Sequence, residues 1–348
     1  MHVAAGVTLE LALRAVIARN ARRRRLIGLL AAGLIALLAI SILLGRYPAP
    51  GLMPWSRLQE DELAARLVVN LRIPRLLTAL LLGMTLSAAG MVFQLLFSNP
   101  LVEPGFLGVS QGAAFGAAFA IVLLGGGALM TQASAAAFAL AGLGFSYLMA
   151  RRLRFGGWVL RLVLAGIAVS ALFSAGVGLL KYIADPLTQL PEITFWLLGS
   201  LASVTWPKLI SVLPAVTVSL FVMLLFRWRL NVLSLNEETA FSLGATPNRE
   251  RLALILAAVA PTAALISISG MLGWIGLIVP HITRRLFDAD TRFGLPATML
   301  IGGIFAMLCD NAARTLLAGE IPLGILTSLL GALIFLGLMT AQQFRART

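Results

Sequence analysis

The sequence predicts an all-α polytopic membrane protein, a single domain of about ten transmembrane helices, and three observations carry that prediction. Of 348 residues, 59% are hydrophobic and 12% charged, and the mean hydropathy is +0.95, a composition that no water-soluble core of this size has. Apolar runs of about 20 residues, the length a hydrocarbon core demands, recur along the whole chain and lack the alternating polarity of barrel strands. Basic residues fall mostly in alternate connections, as retention of Lys and Arg on the cytoplasmic side requires.

The first run, 26–45, follows Arg22, Arg23, Arg24 and Arg25. It is longer than a signal-peptide core and no clear small-x-small cleavage site follows, so it reads as an uncleaved helix behind a basic cytoplasmic segment, 1–25. Further runs lie at 72–97, 104–124, 132–150, 158–182 and 208–227. A polar insert at 230–251 precedes the last four, 252–269, 273–287, 294–316 and 322–342, so that one transmembrane domain covers 26–343 ahead of a cytoplasmic tail, 344–348. Runs two to five and seven to ten would lie in opposite orientations, the order of an inverted repeat.

An inside N-terminus places 14–25, 151–161, 227–251, 284–292, Arg345 and Arg347 in the cytoplasm. Arg46, Arg57, Arg66, Arg72, Arg75, Lys181, Lys208 and Arg314 then sit outside and need their own explanation. The net charge of +13 maps to loops rather than to a groove-reading domain, which argues against nucleic acid. Cys309 is alone in an apolar run and reads as a packing residue. With only His2 and His281 available, no His-based metal cluster can form, and no HExxH, GxSxG or close intramembrane carboxylate pair marks a catalytic residue. Nor is there a GxxxxGK[ST] loop to cradle a nucleotide, so uphill transport needs energy from another subunit. Asp310 is the acid well inside an apolar run, with Arg314 four residues later on the same helix face. Either the two satisfy each other, or they contact a partner.

Three stretches carry a resemblance. The first is Leu71-Arg72-Ile73-Pro74-Arg75 with Gly83, Gly90 and Gln94, then Asn99-Pro100-Leu101-Val102-Glu103-Pro104 and Leu107-Gly108-Val109-Ser110-Gln111-Gly112-Ala113. The second is Trp196-Leu197-Leu198-Gly199-Ser200-Leu201 with Trp206, then Leu230-Asn231-Val232-Leu233-Ser234-Leu235 and Ala240-Phe241-Ser242-Leu243-Gly244-Ala245. The third is Gly273-Trp274-Ile275-Gly276-Leu277-Ile278-Val279-Pro280-His281, then Asp290, Arg292, Pro296, Asp310, Arg314 and Glu320-Ile321-Pro322-Leu323-Gly324. From about residue 47 to 343 the chain resembles the FecCD family of ABC importer permeases, which includes vitamin B12, ferric siderophore and haem permeases. Asn236 stands where the family usually has Gly, Leu333 where it has Pro, and Asp288-Ala289 in a usual glycine region.

The resemblance implies a type II ABC importer permease fold, two permease copies around one pathway, two cytoplasmic ATPases, and a periplasmic or lipid-anchored substrate-binding protein. It implies no enzyme activity and no cofactor on this chain, with ATP and Mg on the partner ATPase. The arginines matching Arg72, Arg75 and Arg314 would receive acidic residues of the binding protein, with snorkelling of Arg72 and Arg75 to headgroups as the lesser alternative. Asn99 and Leu101, facing Val159 and Leu160, would form the cytoplasmic gate. The second pair is apolar here where the B12 permeases carry polar residues, which suits closure by dewetting. Asn99 as a simple turn cap is the competing reading.

The insert around 233–245 mixes apolar residues with Glu237, Glu238 and Thr239, and Gly244 signals a helix C-terminus ahead of Pro247. The resemblance makes it the coupling helix that enters a groove of the ATPase through Leu235, Glu237, Glu238, Ala240, Leu243, Gly244 and Ala245. A helix lying on the lipid interface is the alternative, which the acidic middle disfavours. The expected cargo is a ferric siderophore, cobalamin or haem, in that order, with molybdate or tungstate as the alternative within the family. An ion-coupled secondary transporter would want more midplane acids than Asp310, since Asp185 and Glu192 fall in an outer loop.

Overall fold

The structure is a computed structural model that describes residues 2–235 and 237–345. Helix α1 (His2–Leu43) runs unbroken through residue 25. At 42 residues it is about 63 Å long, twice the hydrocarbon thickness, so half of it projects beyond the bilayer. A two-residue hairpin, β1 (Leu44–Gly45) with β2 (Gly51–Leu52), follows. Next come α2 (Trp55–Glu60) and α3 (Glu62–Leu67), the latter capped by the Asp61 carboxylate, which accepts from the Leu63 and Ala64 amides. A π-helical turn, Val68–Arg72, runs without a break into α4 (Ile73–Leu96), with Pro74 just past the junction, and the Val69 carbonyl accepts the Trp206 indole N–H at 2.8 Å instead.

The remaining helices are α5 (Val109–Leu123), α6 (Ala128–Arg152), α7 (Trp158–Ile183), α8 (Gln189–Leu198), α9 (Trp206–Leu225), α10 (Arg229–Leu233), α11 (Glu237–Ser242), α12 (Pro247–Ser269), α13 (Ile275–Phe287), α14 (Thr291–Thr315) and α15 (Leu323–Arg345). Among the described residues, eight helical stretches are long and apolar enough to cross a membrane. The runs predicted at 104–124 and 273–287 differ: α5 has 15 helical residues and α13 has 13, both short of a span. Each follows an irregular segment. Gly108 (φ 81°) and Trp274 (φ 73°) take left-handed backbone there, which starts each helix part-way along the bundle. Irregular backbone at membrane depth persists only where protein satisfies it. Leu107 and Gly108 are buried, and Ser146 Oγ donates to the Leu107 carbonyl at 2.9 Å.

Two four-helix sets share this plan. In α4–α7 and in α12–α15 a long helix, a break, a short helix and two long helices succeed each other, and the two sets run in opposite directions. They meet at α4, the most buried span, with α1 at the lipid-exposed edge. Gly83 of α4 lies against Gly302 of α14, and Gly90 against Gly276 of α13, so closely that a methyl group on either Gly83 or Gly90 would overlap the opposing carbonyl. Small residues are what let helices approach in lipid, where no hydrophobic force drives them together. Ser87 donates to the Thr298 carbonyl at 3.0 Å, and Gln94 Nε2 to those of Gly276 and Leu277 at 3.2 Å.

The bundle has two unlike ends. One, here termed the terminal face, gathers the start of α1, the end of α15, α10 and α11, and many of the arginines. Arg23 reaches Asp288, Arg285 donates to the Leu338 carbonyl, Asn231 bonds Asp290, and Arg151 and Arg251 line one cavity. The hairpin, α2, α3, α8 and residues 316–322 form the far face.

Candidate functional site

On the far face, the three arginines assigned to docking converge. Arg72, Arg75 and Arg314 line one cavity of about 350 Å³ together with Arg46, Tyr47 and Glu320. None snorkels outward. Arg72, leaving the π-turn, donates to the carbonyls of Ile42, Leu43 and Tyr47 at 3.2–3.5 Å. Arg314 donates to the carbonyls of Leu44 and Ser41 and to Asn311 Oδ1 at 2.5–2.7 Å. Arg75 is bound on both edges: Nε donates to Asp310 Oδ1 at 2.8 Å, and one NH2 group donates to both Glu320 carboxylate oxygens at 2.8 and 2.7 Å.

The self-contained Asp310–Arg314 pair expected from i,i+4 spacing is therefore the weaker contact. Its ions stand 3.7 Å apart, while Asp310 forms its shorter bond with Arg75, 235 residues away in sequence. Asp310 is fully buried, with Arg75 and Arg314 only 8% and 7% exposed, so the three charges form one largely buried cluster at the base of the cavity. Glu320 differs in kind, since its side chain is 42% exposed. The sequence reading did not select it, although an acid just beyond a membrane helix, opposite in sign to three clustered arginines, was the available signal.

On the terminal face, α10 and α11 form a platform. Leu230, Leu233, Ala240 and Ala245 are buried and anchor it, whereas Leu235, Phe241 and Leu243 are 44%, 73% and 58% exposed. Gly244 (φ 76°) ends α11 as the sequence predicted: its amide donates to Phe241 and the Ala245 amide to Ala240, which satisfies the last carbonyls. Glu238 is exposed beside them and Glu237 opens α11, while Asn236 lies outside the described residues. Ala240 and Ala245 thus hold the platform, and the exposed apolar knob is Leu235, Phe241 and Leu243. Phe241, the most exposed of the three, was not among the predicted contact residues.

The platform is tied to the bundle through side chains. Asn231 accepts the Thr291 amide at 3.1 Å and donates to Asp290 Oδ1 at 3.2 Å, and the Thr291 hydroxyl reaches the Arg227 carbonyl. Burial pushes the Asp290 carboxyl up, but hydrogen bonds from Arg292 and Asn231 and the Arg292 charge hold it below the usual carboxylate range. Arg23 of α1 lies 2.6 Å from Asp288 and 3.6 Å from Asp290, over the Phe293 ring. Arg229 joins Glu250 of α12 at 3.4 Å.

The four residues expected at the gate also lie toward the terminal face. Asn99 Oδ1 accepts the Leu101 amide at 2.9 Å, which builds the turn after α4. Leu101 and Leu160 are 52% and 50% exposed, and Val159, in the first turn of α7, packs against the core. Deeper in the bundle, Glu103, Ser110, Gln111, Ser170 and Met271 line a cavity of about 330 Å³. Another, of about 440 Å³, opens beneath the far face between Glu192, Trp196, Ser203, Gly270 and Glu320.

The model of the FecCD transport family matches residues 33–341. The molybdate import system permease of Haemophilus influenzae is 38% identical over 309 residues, 87% of this chain and 91% of that protein. An iron chelatin transport system permease of Helicobacter pylori is 36% identical over 292 residues, 83% of this chain and 86% of that one. A solved chain described as an inward-facing conformation of a metal-chelate type ABC transporter superposes with a TM-score of 0.83 at 38% identity, covering 91% of this chain and 99% of that chain.

Proposed function

The chain belongs to the FecCD transport family, and from that premise we propose that its cargo is a metal chelate, a ferric siderophore, cobalamin or haem, handed over by a substrate-binding protein and driven by separate ATPase subunits. The chain itself is the membrane-spanning permease of an ABC importer.

The observation that carries the reading is the pairing of two unlike surfaces at opposite ends of one bundle. The far face presents an arginine-lined cavity suited to carboxylates. The terminal face presents an exposed Leu235–Phe241–Leu243 knob on an anchored platform. In this reading the knob, with Glu237, Glu238 and Gly244, enters the ATPase, which holds ATP and Mg, and the arginine cavity receives the binding protein, periplasmic or lipid-anchored. The arginine-rich terminal face lies in the cytoplasm, in keeping with positive-inside retention. Both termini are then cytoplasmic, in a bacterial or archaeal inner membrane.

Leu101 and Leu160, half-exposed on the single chain, meet a second permease copy across the pathway. With Asn99 and Val159 they close it to water. In this reading the permease is a low-affinity conduit, and selectivity rests with the binding protein. An oxyanion, molybdate or tungstate, is the second reading, favoured by the 38% identity to the Haemophilus influenzae permease over 91% of that protein.

ATP-driven uptake into proteoliposomes, with the ATPase and binding protein present, tests this directly. Labelled iron siderophore, cobalamin, haem and molybdate are offered in parallel. Uptake of a chelate that needs both partners is the expected result. Molybdate uptake alone selects the second reading, and uptake without ATP by this chain alone refutes both.

A further inference from the structure

The far-face arginines carry a resident acid, and its position joins the docking cavity to the pathway. Glu320 presents both carboxylate oxygens to one edge of Arg75, at 2.8 and 2.7 Å. The other edge of Arg75 is held by Asp310, which has no exposed surface and so no access for a rival. Exchange of Glu320 for an incoming carboxylate would leave Arg75 in place and the local charge unchanged. Only the half-exposed partner is replaceable.

Glu320 ends a strap. Residues 316–320 are exposed and irregular, and beyond them the chain is pinned by the Ile321 amide on the Ala313 carbonyl at 3.0 Å. Glu320 and Ala202 line both the docking cavity and the cavity beneath it. Two residues past Pro322, the strap reaches a junction of three glycine-bearing segments. The Gly324 amide lies 3.4 Å from the Gly199 carbonyl, and the Ser200 amide donates to the Ser269 carbonyl at 2.7 Å. A methyl group on Gly199, Gly270 or Gly324 would overlap the carbonyl of Met271, Trp196 or Leu198, respectively. Trp196 and Gly270 themselves line the lower cavity. The backbone contacts of this junction are therefore continuous in sequence with the strap that Glu320 tethers.

We propose that Glu320 is a displaceable stand-in for the binding protein's carboxylate: it occupies Arg75 while the permease is undocked, yields to the incoming acid, and by leaving frees the 316–320 strap on the far face. The proposal rests on the docking role assigned to the arginine cavity. It makes docking a competition, and it gives docking a mechanical output four residues ahead of Gly324 in the Gly199–Gly270–Gly324 junction.

The test is binding of purified binding protein to the permease–ATPase complex in lipid nanodiscs, read by biolayer interferometry for wild type, Glu320→Gln and Arg72→Glu. Removing the competitor should lower the dissociation constant of Glu320→Gln about tenfold, whereas Arg72→Glu should raise it. If Arg72→Glu weakens binding but Glu320→Gln binds no more tightly than wild type, the docking role stands and the stand-in role of Glu320 is overturned. If neither variant alters binding, the docking role fails and the proposal falls with it.

A second measurement leaves Glu320 intact. Gly319, whose Cα has open space around it, is changed to Cys in a Cys309→Ala background and carries a nitroxide. Docking should raise the mobility of the label, and adding Glu320→Gln should produce the mobile spectrum without partner. An unchanged spectrum on docking overturns the release of the strap.

Discussion

Replacing Asp310 by Ala should cost far more stability than replacing Glu320 by Ala, although both carboxylates pair with the same arginine. Asp310 is fully buried between Arg75 and Arg314, themselves 8% and 7% exposed. Its loss strands guanidinium charge in a largely buried site, a change that typically costs about 3–5 kcal/mol. Glu320 still holds one edge of Arg75, so about 3 kcal/mol is the appropriate end of that range. The Glu320 side chain is 42% exposed, and its pair with Arg75 is screened by water, which limits its worth to about 1 kcal/mol or less. The difference of about 2 kcal/mol is a factor of about 30 in the ratio of folded to unfolded protein. Reversible unfolding in mixed micelles titrated with SDS, followed by tryptophan fluorescence, measures both variants on one scale. Equal midpoints would refute the argument, because they would mean that Asp310 is hydrated or that Arg75 repacks freely.

Other outcomes follow from the same geometry. Gly90→Val should abolish recovery of a monodisperse permease, because its side chain meets the Gly276 backbone, while Gly28→Ala, with no atom within 4 Å, should be tolerated; size-exclusion profiles distinguish them. Phe241→Asp should leave thermal stability unchanged, since the ring is 73% exposed, yet lower transport per ATP hydrolysed, whereas Ala240→Asp, at a fully buried position, should destabilise the platform itself. Asp290 is held below its ordinary value of 3.8 in the folded state. The stability it contributes is therefore fully present above about pH 4 and lost as pH falls through the lowered value. Asn231→Ala should shrink that acid-side loss, which a pH series of melting temperatures in detergent would reveal.

Much of the architecture was legible before any coordinates, because lipid leaves the backbone few options. A run such as 158–182 must form a helix to satisfy its own amides, and α7 covers it. The half-length α5 and α13 were not legible. Hydropathy scores Pro104 to Leu107 and Gly273 as membrane-compatible, while the break depends on left-handed backbone at Gly108 and Trp274 and on donors such as Ser146 from another helix. The arginine cluster was partly legible, since Arg72 and Arg75 on the presumed outer side demanded a reason. That the reason includes Asp310 and Glu320 needed the contact of α4 with α14, more than 200 residues apart.

Composition, run length and the spacing of basic residues by themselves determined that this chain is a many-helix membrane protein, and its motifs determined the family. These properties are local and additive, so a linear reading recovers them. Tertiary structure alone decided which charges are buried and which meet water. It decided too that Phe241 stands outward while Ala240 anchors, and that Glu320 borders two cavities at once. Burial and pairing are set by what other segments place around a residue, and in a bundle of crossing helices those neighbours are distant in sequence.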